Sequence, residues 1–350
     1  MTGASLLPTV GNSDSGESIN RFLLWLLDNL IWPIVLLTFL LFSILLPGVF
    51  SSAENIQFLL FSSAALGMLV LAESLCLLSG NFDLSIGSIA GFSAMFTALF
   101  LNEWFPTLPG EVGVVVVLLV GALIGLGNGI AIGYFGINPF LQTLAFFIIF
   151  RGAVTILSSL SVAPLPDSYT FLGGATIASV PGLAALGPLS NVPVAILVLL
   201  GLYAVAWYVL NYTRFGLAVY AVGGDATSAK EAGIPTERVV VLVFVISGAL
   251  AALSGLLFTG YLKAATPTLA RGDLFPAFAA AVIGGISLFG GRGDVENAFG
   301  GLMLISMIQI GLVQLGVDAE QIQFVNGIVL LGAIYLYAVE SRLRSRLLSG

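Results

Sequence analysis

Two ionisable residues stand inside long apolar runs, Glu73 in the run 56–78 and Arg151 in the run 140–160. A charge in lipid is costly, so such residues face a cavity, a partner or a pathway. A lone buried acid can carry a proton, ligate a solute, or stay neutral and structural, and Arg151 is one candidate partner for it. A second group sits where the apolar pattern breaks. The segment Ser79-Gly80-Asn81-Phe82-Asp83-Leu84-Ser85 separates two runs, with Gly80 placed to end one helix and Asp83 to cap the next. Asn81 and Asp83 would then belong to a broken helix, which a membrane tolerates only where the irregular backbone meets protein or a water-filled cavity. Asn128, Gln142 and Gln309 are milder polar points of the kind that join helices. Glu73, Asn81, Asp83, Asn128 and Arg151 are the candidates for lining a pathway.

Other chemistry is excluded by what the chain lacks. It has no histidine, which removes the usual zinc ligand and the commonest general base. Its one cysteine, Cys76, lies in an apolar run, cannot form an intramolecular disulfide and reads as a packing residue. The glycine-dense stretch 284–294 contains Gly290, Gly291, Arg292 and Gly293, but no G-x-x-x-x-G-K-[ST] pattern occurs anywhere. It therefore reads as a tight structural turn with Asp294 capping the next helix, not as a phosphate cradle. No metal, cofactor or catalytic constellation is expected, and a net charge of −7 gives no reason to expect nucleic acid.

The elements that position these residues are membrane helices. The 350 residues are 58% hydrophobic and 8% charged, with mean hydropathy +1.09, against about 25% charged in a soluble domain. The fold class is an all-α polytopic membrane protein with the lipid bilayer as its solvent. A span needs about 20 mostly apolar residues. About ten segments qualify: 23–46, 56–78, 84–101, 112–135, 140–160, 192–210, 239–262, 274–289, 295–315 and 321–339, the eighth being the shortest. Trp25 and Trp32 flank the start of the first span, Trp104 ends the third and Trp207 lies near the inner end of the sixth, an aromatic-belt pattern. With both termini cytoplasmic, Arg21, Arg214, Lys230, Arg238, Arg292, Arg342, Arg344 and Arg346 lie inside, against Lys263 and Arg271 outside. That bias fixes the orientation. Residues 1–22 form a cytoplasmic tail without the basic start and apolar core of a signal peptide. Residues 23–340 form the membrane domain and 341–350 a basic tail. The outer segment 161–191 is rich in Pro, Gly and Ser and predicts short helices or turns.

The inner loop 211–238 carries three of the eleven basic residues, Arg214, Lys230 and Arg238. Within it a short polar helix is predicted from Asp225, a good N-cap, to Ala232, closed by Gly233 and stopped by Pro235. It reads either as a solvated loop or as a docking element for a soluble partner. The glycine spacing of 121–136 returns in 301–316, and the turn 79–87 has a counterpart in 284–291. The matched spans are the fourth and the ninth, which run in opposite directions, so two inverted five-helix halves would follow.

These blocks together resemble the membrane permease subunits of bacterial and archaeal ABC importers of the ribose/xylose type. The resemblance covers about 55–337. It rests on G-N-F-D-L-S-I-G-S at 80–88, N-P-F-L-Q-T-L at 138–144, R-G at 151–152, T-R-F-G-L-A-V-Y-A-V-G-G at 213–224, E-A-G-I at 231–234, V-I-S-G-A-L-A-A-L-S-G at 245–255 and V-I-G-G-I-S-L-F-G-G-R-G at 282–293. It implies a type II importer fold and a homodimeric or heterodimeric permease core. It also implies two cytoplasmic ABC ATPase subunits and an extracellular solute-binding protein. The helix with Asp225, Ala229, Lys230, Glu231, Ala232 and Gly233 would be the coupling helix seated in the ATPase, which alone would hydrolyse ATP. The cargo implied is a monosaccharide. A nucleoside permease of the same superfamily and an ion-coupled transporter using Glu73, Asp83 and Arg151 are the alternatives. The chain departs from the family at Glu73-Ser74, where small or apolar residues are usual, at Gly80-Asn81-Phe82-Asp83, where G-G-I-D is usual, and at the acidic Asp294 and Glu296.

Overall fold

The computed structural model describes residues 29–180, 182 and 187–349. The expected tail 1–22, the first residues of the first span and Gly350 lie outside them. Among the described residues there is no strand beyond two isolated bridges, Val162 to Ala265 and Thr176 to Pro193. The chain forms α1 (Ile31–Leu45), α2 (Ala53–Leu78), α3 (Ile86–Leu99, prolonged by a π-helical turn Phe100–Trp104), α4 (Gly110–Gly133) and α5 (Pro139–Leu157). A short α6 (Asp167–Gly174) and two 3₁₀ turns occupy the long connection to α7 (Val194–Tyr212). Then follow α8 (Arg214–Gly224), α9 (Ala226–Glu231), α10 (Thr236–Leu262), α11 (Leu274–Ile283), α12 (Val295–Gln314) and α13 (Ala319–Ser349).

Seven of these helices, among the described residues, are long and apolar enough to cross a membrane: α2, α3 with its π turn, α4, α5, α7, α10 and α12. The eighth expected span is corrected. Its helix stops at Ile283 after ten residues, because Gly285 adopts φ +85° and its N–H bonds to the Val282 carbonyl. That closure is the glycine C-cap, which the run of apolar residues up to Phe289 conceals. The backbone of 341–349, expected as a tail, continues α13 as helix.

α2 is the central pillar. Residues 63–79 are all buried, as expected of a helix that is apolar on every side. α10 packs on α2, α3, α4 and α6. The crossing of α4 with α10 is close along its length: a methyl at Gly125 would sit 2.1 Å from the Phe244 carbonyl, and one at Gly248 2.2 Å from that of Gly121. Lipid is as apolar as leucine, so van der Waals contact between such small-residue faces, not exclusion from water, holds the crossing. α5, by contrast, shows Phe140, Leu141, Ile148, Ile149 and Ile156 on its uncovered surface.

Candidate functional site

The polar elements converge at one end of the bundle, beginning with two glycine caps. α2 ends in a Schellman motif: Gly80 adopts φ +77° and its N–H bonds to the Leu77 carbonyl at 2.8 Å, while Asn81 N–H reaches the Cys76 carbonyl at 3.0 Å. The predicted end at Gly80 is therefore realised. Asp225 is the N-cap of α9, its carboxylate accepting from the N–H groups of Thr227 at 2.9 Å and Ser228 at 3.2 Å and from the Ser228 hydroxyl at 2.9 Å. These bonds hold the Asp225 carboxyl below its ordinary range. The cap is thus present above the ordinary carboxylate pKa and is lost only as pH falls through the lowered one. Gly233 closes α9 at φ +83°, with Gly233 N–H on the Lys230 carbonyl and Ile234 N–H on that of Ala229.

Asp225, Lys230, Glu231, Ala232 and Gly233 are exposed, while Ala229 is buried and anchors the helix. Lys230 is not a free charge: its Nζ lies 2.6 Å from Glu237 Oε1. The stretch before Asp225, expected as loop, is the helix α8, capped by the Thr213 hydroxyl, which accepts from Gly216 N–H at 3.3 Å.

α8 brings its last turn against two other polypeptide segments. Gly291 N–H donates to the Leu78 carbonyl at 3.0 Å. A methyl at Gly223 would lie 1.9 Å from that carbonyl and 2.7 Å from Gly291 N, and one at Gly290 2.7 Å from Gly80 Cα. Backbone thus touches backbone where the end of α2, the end of α8 and the turn 284–293 meet. The expected structural turn Gly290, Gly291, Arg292, Gly293 is the third side of this junction, with positive φ at its three glycines and Arg292 exposed. Tyr220 on α8 donates its hydroxyl to the Gly293 carbonyl at 2.9 Å. Burial, then the charges of Asp294 and Glu296, push this phenol up to about 12. The stabilisation this bond gives is constant below the ordinary tyrosine pKa of about 10 and is lost as pH rises through about 12. Removing the hydroxyl with Tyr220→Phe is expected to cost about 1 kcal/mol, read as a small fall in the melting temperature of the purified protein. A cavity of about 480 Å³ opens beside the junction, lined by Asn81, Gly223, Asp225, Asn138 and Phe289 among others.

From the junction the chain turns into the bundle through 79–85. Asn81 bonds locally, its Nδ2 donating to the carbonyl and hydroxyl of Ser79. Asp83 is fully buried but does not cap the helix as expected. The N-cap is Ser85, and Asp83 accepts from Ser85 N–H at 2.9 Å and from the Ser85 hydroxyl, closing an Asx turn that begins two residues before the cap. Its other oxygen accepts from Ser247 of α10 at 3.3 Å. The Ser85 hydroxyl accepts from Asn128 Nδ2 at 2.9 Å, and Asn128 Oδ1 from Gln142 at 3.3 Å. One hydrogen-bonded chain therefore ties the break to α4, α5 and α10, as the helix-joining reading of Asn128 and Gln142 expects. Ser85 and Ser247 were missed, since a serine in an apolar helix carries no mark of its own.

Glu73 is fully buried in α2 and neither of its oxygens has a hydrogen-bond partner. Arg151 is not brought to it. Arg151 lines a different cavity, of about 600 Å³, together with Arg271. No group of three or more His, Cys, Asp or Glu that could hold a metal ion occurs among the described residues.

Apolar helices long enough to cross a membrane, a buried polar break and an exposed capped helix are the parts of a membrane transport component. The family model for the branched-chain amino acid transport system permease component matches residues 55–334. The chain belongs to this permease family. It is 31% identical over 324 residues to the galactose/methyl galactoside import permease protein MglC of Salmonella typhimurium, covering 90% of this chain and 95% of the relative. It is 32% identical to the D-allose transport system permease protein AlsC of Escherichia coli, covering 85% and 86%. It is 29% identical to the fructose import permease protein FrcC of Rhizobium meliloti, covering 86% and 82%. No solved structure matches the chain.

Proposed function

We propose that the chain forms the translocation pathway of an ABC importer for a monosaccharide, delivered by an extracellular solute-binding protein and driven by separate cytoplasmic ATPase subunits. The import roles of the relatives support the cargo class. The observation that carries the reading is the capped, exposed helix α9, joined backbone to backbone through Gly223, Leu78 and Gly291 to the break at 79–85. A push on α9 has a stiff route into the bundle. Asp225, Lys230, Glu231, Ala232 and Gly233 present the ATPase-docking face, with Ala229 as its anchor. Asn81, Asp83 and Asn128 sit where a moving break would open the path. An ion-coupled transporter would need Glu73 and Arg151 to act together, and they occupy separate places.

Two inverted halves of five helices, with α11 the short member of the second, remain our reading of the architecture, and packing supports it. α3 packs on α4, α5 and α10, and α11 packs correspondingly on α12, α13 and α2. Both termini then lie in the cytoplasm, and the uncovered apolar face of α5 is available to a second permease copy.

The test is co-purification of the tagged chain with the ATPase encoded beside it, wild type against Glu231→Arg. A complex lost in the variant supports docking through α9. An equally stable complex in the variant removes α9 from that role, and the absence of any ATPase complex removes the importer reading.

A further inference from the structure

We propose that the cargo is anionic: the cavity holding Arg151 and Arg271 is a binding site for a hydroxylated small solute bearing a carboxylate or phosphate, such as a sugar acid. This rests on the permease reading and deepens it. The cavity is bounded by the first turn of α3, by α5, by α11 with the segment before it, and by α13. The segment before α11 is pressed against α3: a methyl at Gly87 would meet the Ala270 carbonyl at 3.1 Å, and one at Gly91 that of Leu269 at 3.0 Å. This contact holds Arg271, next in the chain after Ala270, at the cavity that Arg151 also lines.

No Asp or Glu lines the cavity. Among the described residues neither arginine has a carboxylate within salt-bridge distance. Arg151 is half-buried and Arg271 exposed at the rim, and two like charges at one apolar-walled space repel each other, an arrangement an entering anion relieves. The remaining polar lining is Ser88, Gln323 and Asn326, with Phe275 beside them. Amides and a hydroxyl match the hydroxyl groups of a sugar, an aromatic ring its apolar face, and the paired guanidiniums its acid group. A volume of about 600 Å³ holds one such molecule with some water. None of the sugars for which the relatives above are named carries an acid group.

The test uses the full chain in phosphatidylcholine nanodiscs and follows phenylglyoxal labelling of Arg151 and Arg271, peptide by peptide, by mass spectrometry. D-glucuronate, D-gluconate and D-glucose 6-phosphate are compared with D-glucose at equal concentration. At least one acid is expected to slow labelling of both arginines about tenfold at ~10 times its Kd, while glucose leaves the rate unchanged. Equal protection by glucose, or protection by none of the acids, overturns the proposal. Nanodiscs containing phosphatidylglycerol provide a third arm: protection by that lipid which the acids do not add to assigns the site to a headgroup and also overturns it. Labelling needs no ATPase. Acid-selective protection without ATP-driven uptake would therefore sink the importer reading alone, and uptake of D-glucose without acid-selective protection would sink only the anion assignment.

Discussion

A single methyl group at residue 223 is expected to stop transport while leaving the protein in the membrane. In Gly223→Ala the new carbon falls 1.9 Å from the Leu78 carbonyl oxygen and 2.7 Å from Gly291 N. Both obstacles are backbone, so no rotamer change relieves the overlap. The end of α8 must move away from α2 and from the turn 284–293, and the Gly291 to Leu78 hydrogen bond breaks with it. Overpacking of this kind costs about 1–3 kcal/mol, which a large bundle survives, but the link between α9 and the break at 79–85 is lost. Uptake by the assembled transporter should fall tenfold or more, with ATPase activity persisting. The neighbouring Gly224→Ala is the control, because its methyl meets nothing within 4 Å. Normal uptake in Gly223→Ala, or equal damage in both variants, would remove the junction from the coupling route.

The second large effect is on folding. At Gly125 an added Cβ lies 2.1 Å from the Phe244 carbonyl, at the tightest point of the α4–α10 crossing. Gly125→Val forces apart the two helices that share the longest face in the bundle, and α10 also holds Ser247 against Asp83. A loss of about 3 kcal/mol or more is expected. It should appear as severalfold less protein in the membrane fraction and a lower melting temperature in detergent. Gly152→Ala on α5, with open space around the new methyl, should match wild type in both measurements. A Gly125→Val protein that accumulates and melts like wild type would show that the crossing yields.

What was legible in the sequence was what local chemistry decides. Asp225 and Gly233 bound a helix because a carboxylate and a positive-φ glycine satisfy the ends of whatever turn lies between them, and Gly80 ends α2 for the same reason. Long apolar runs gave the spanning helices to within a few residues. α8 escaped notice because its eleven residues mix apolar and small side chains with two glycines at its end, a pattern that serves a loop equally well. Asp83 stands at the expected break but with other partners, since an Asx turn uses the same kind of side chain as a helix cap, here two residues before the N-cap Ser85. The rest depends on contacts between distant segments. Gly223 meets Leu78 and Gly291, Asp83 meets Ser247, and Arg151 shares a cavity with Arg271 rather than reaching Glu73. Nothing at any one of those positions announces its neighbour.

The shortness of α11 bears on how the protein is made. Ten residues extend about 15 Å, half of a hydrocarbon layer about 30 Å thick. Such a helix cannot hold itself across the bilayer when it leaves the ribosome, because the irregular backbone on either side would be stranded in lipid. It settles only when α2 is already standing and α12 has arrived to close over it. Membrane integration of this chain is thus expected not to be sequential near its C-terminal end. Nascent chains cut after the turn 284–293 should leave α11 reachable by water-soluble thiol reagents at an introduced cysteine, and chains extended past Gln314 should conceal it.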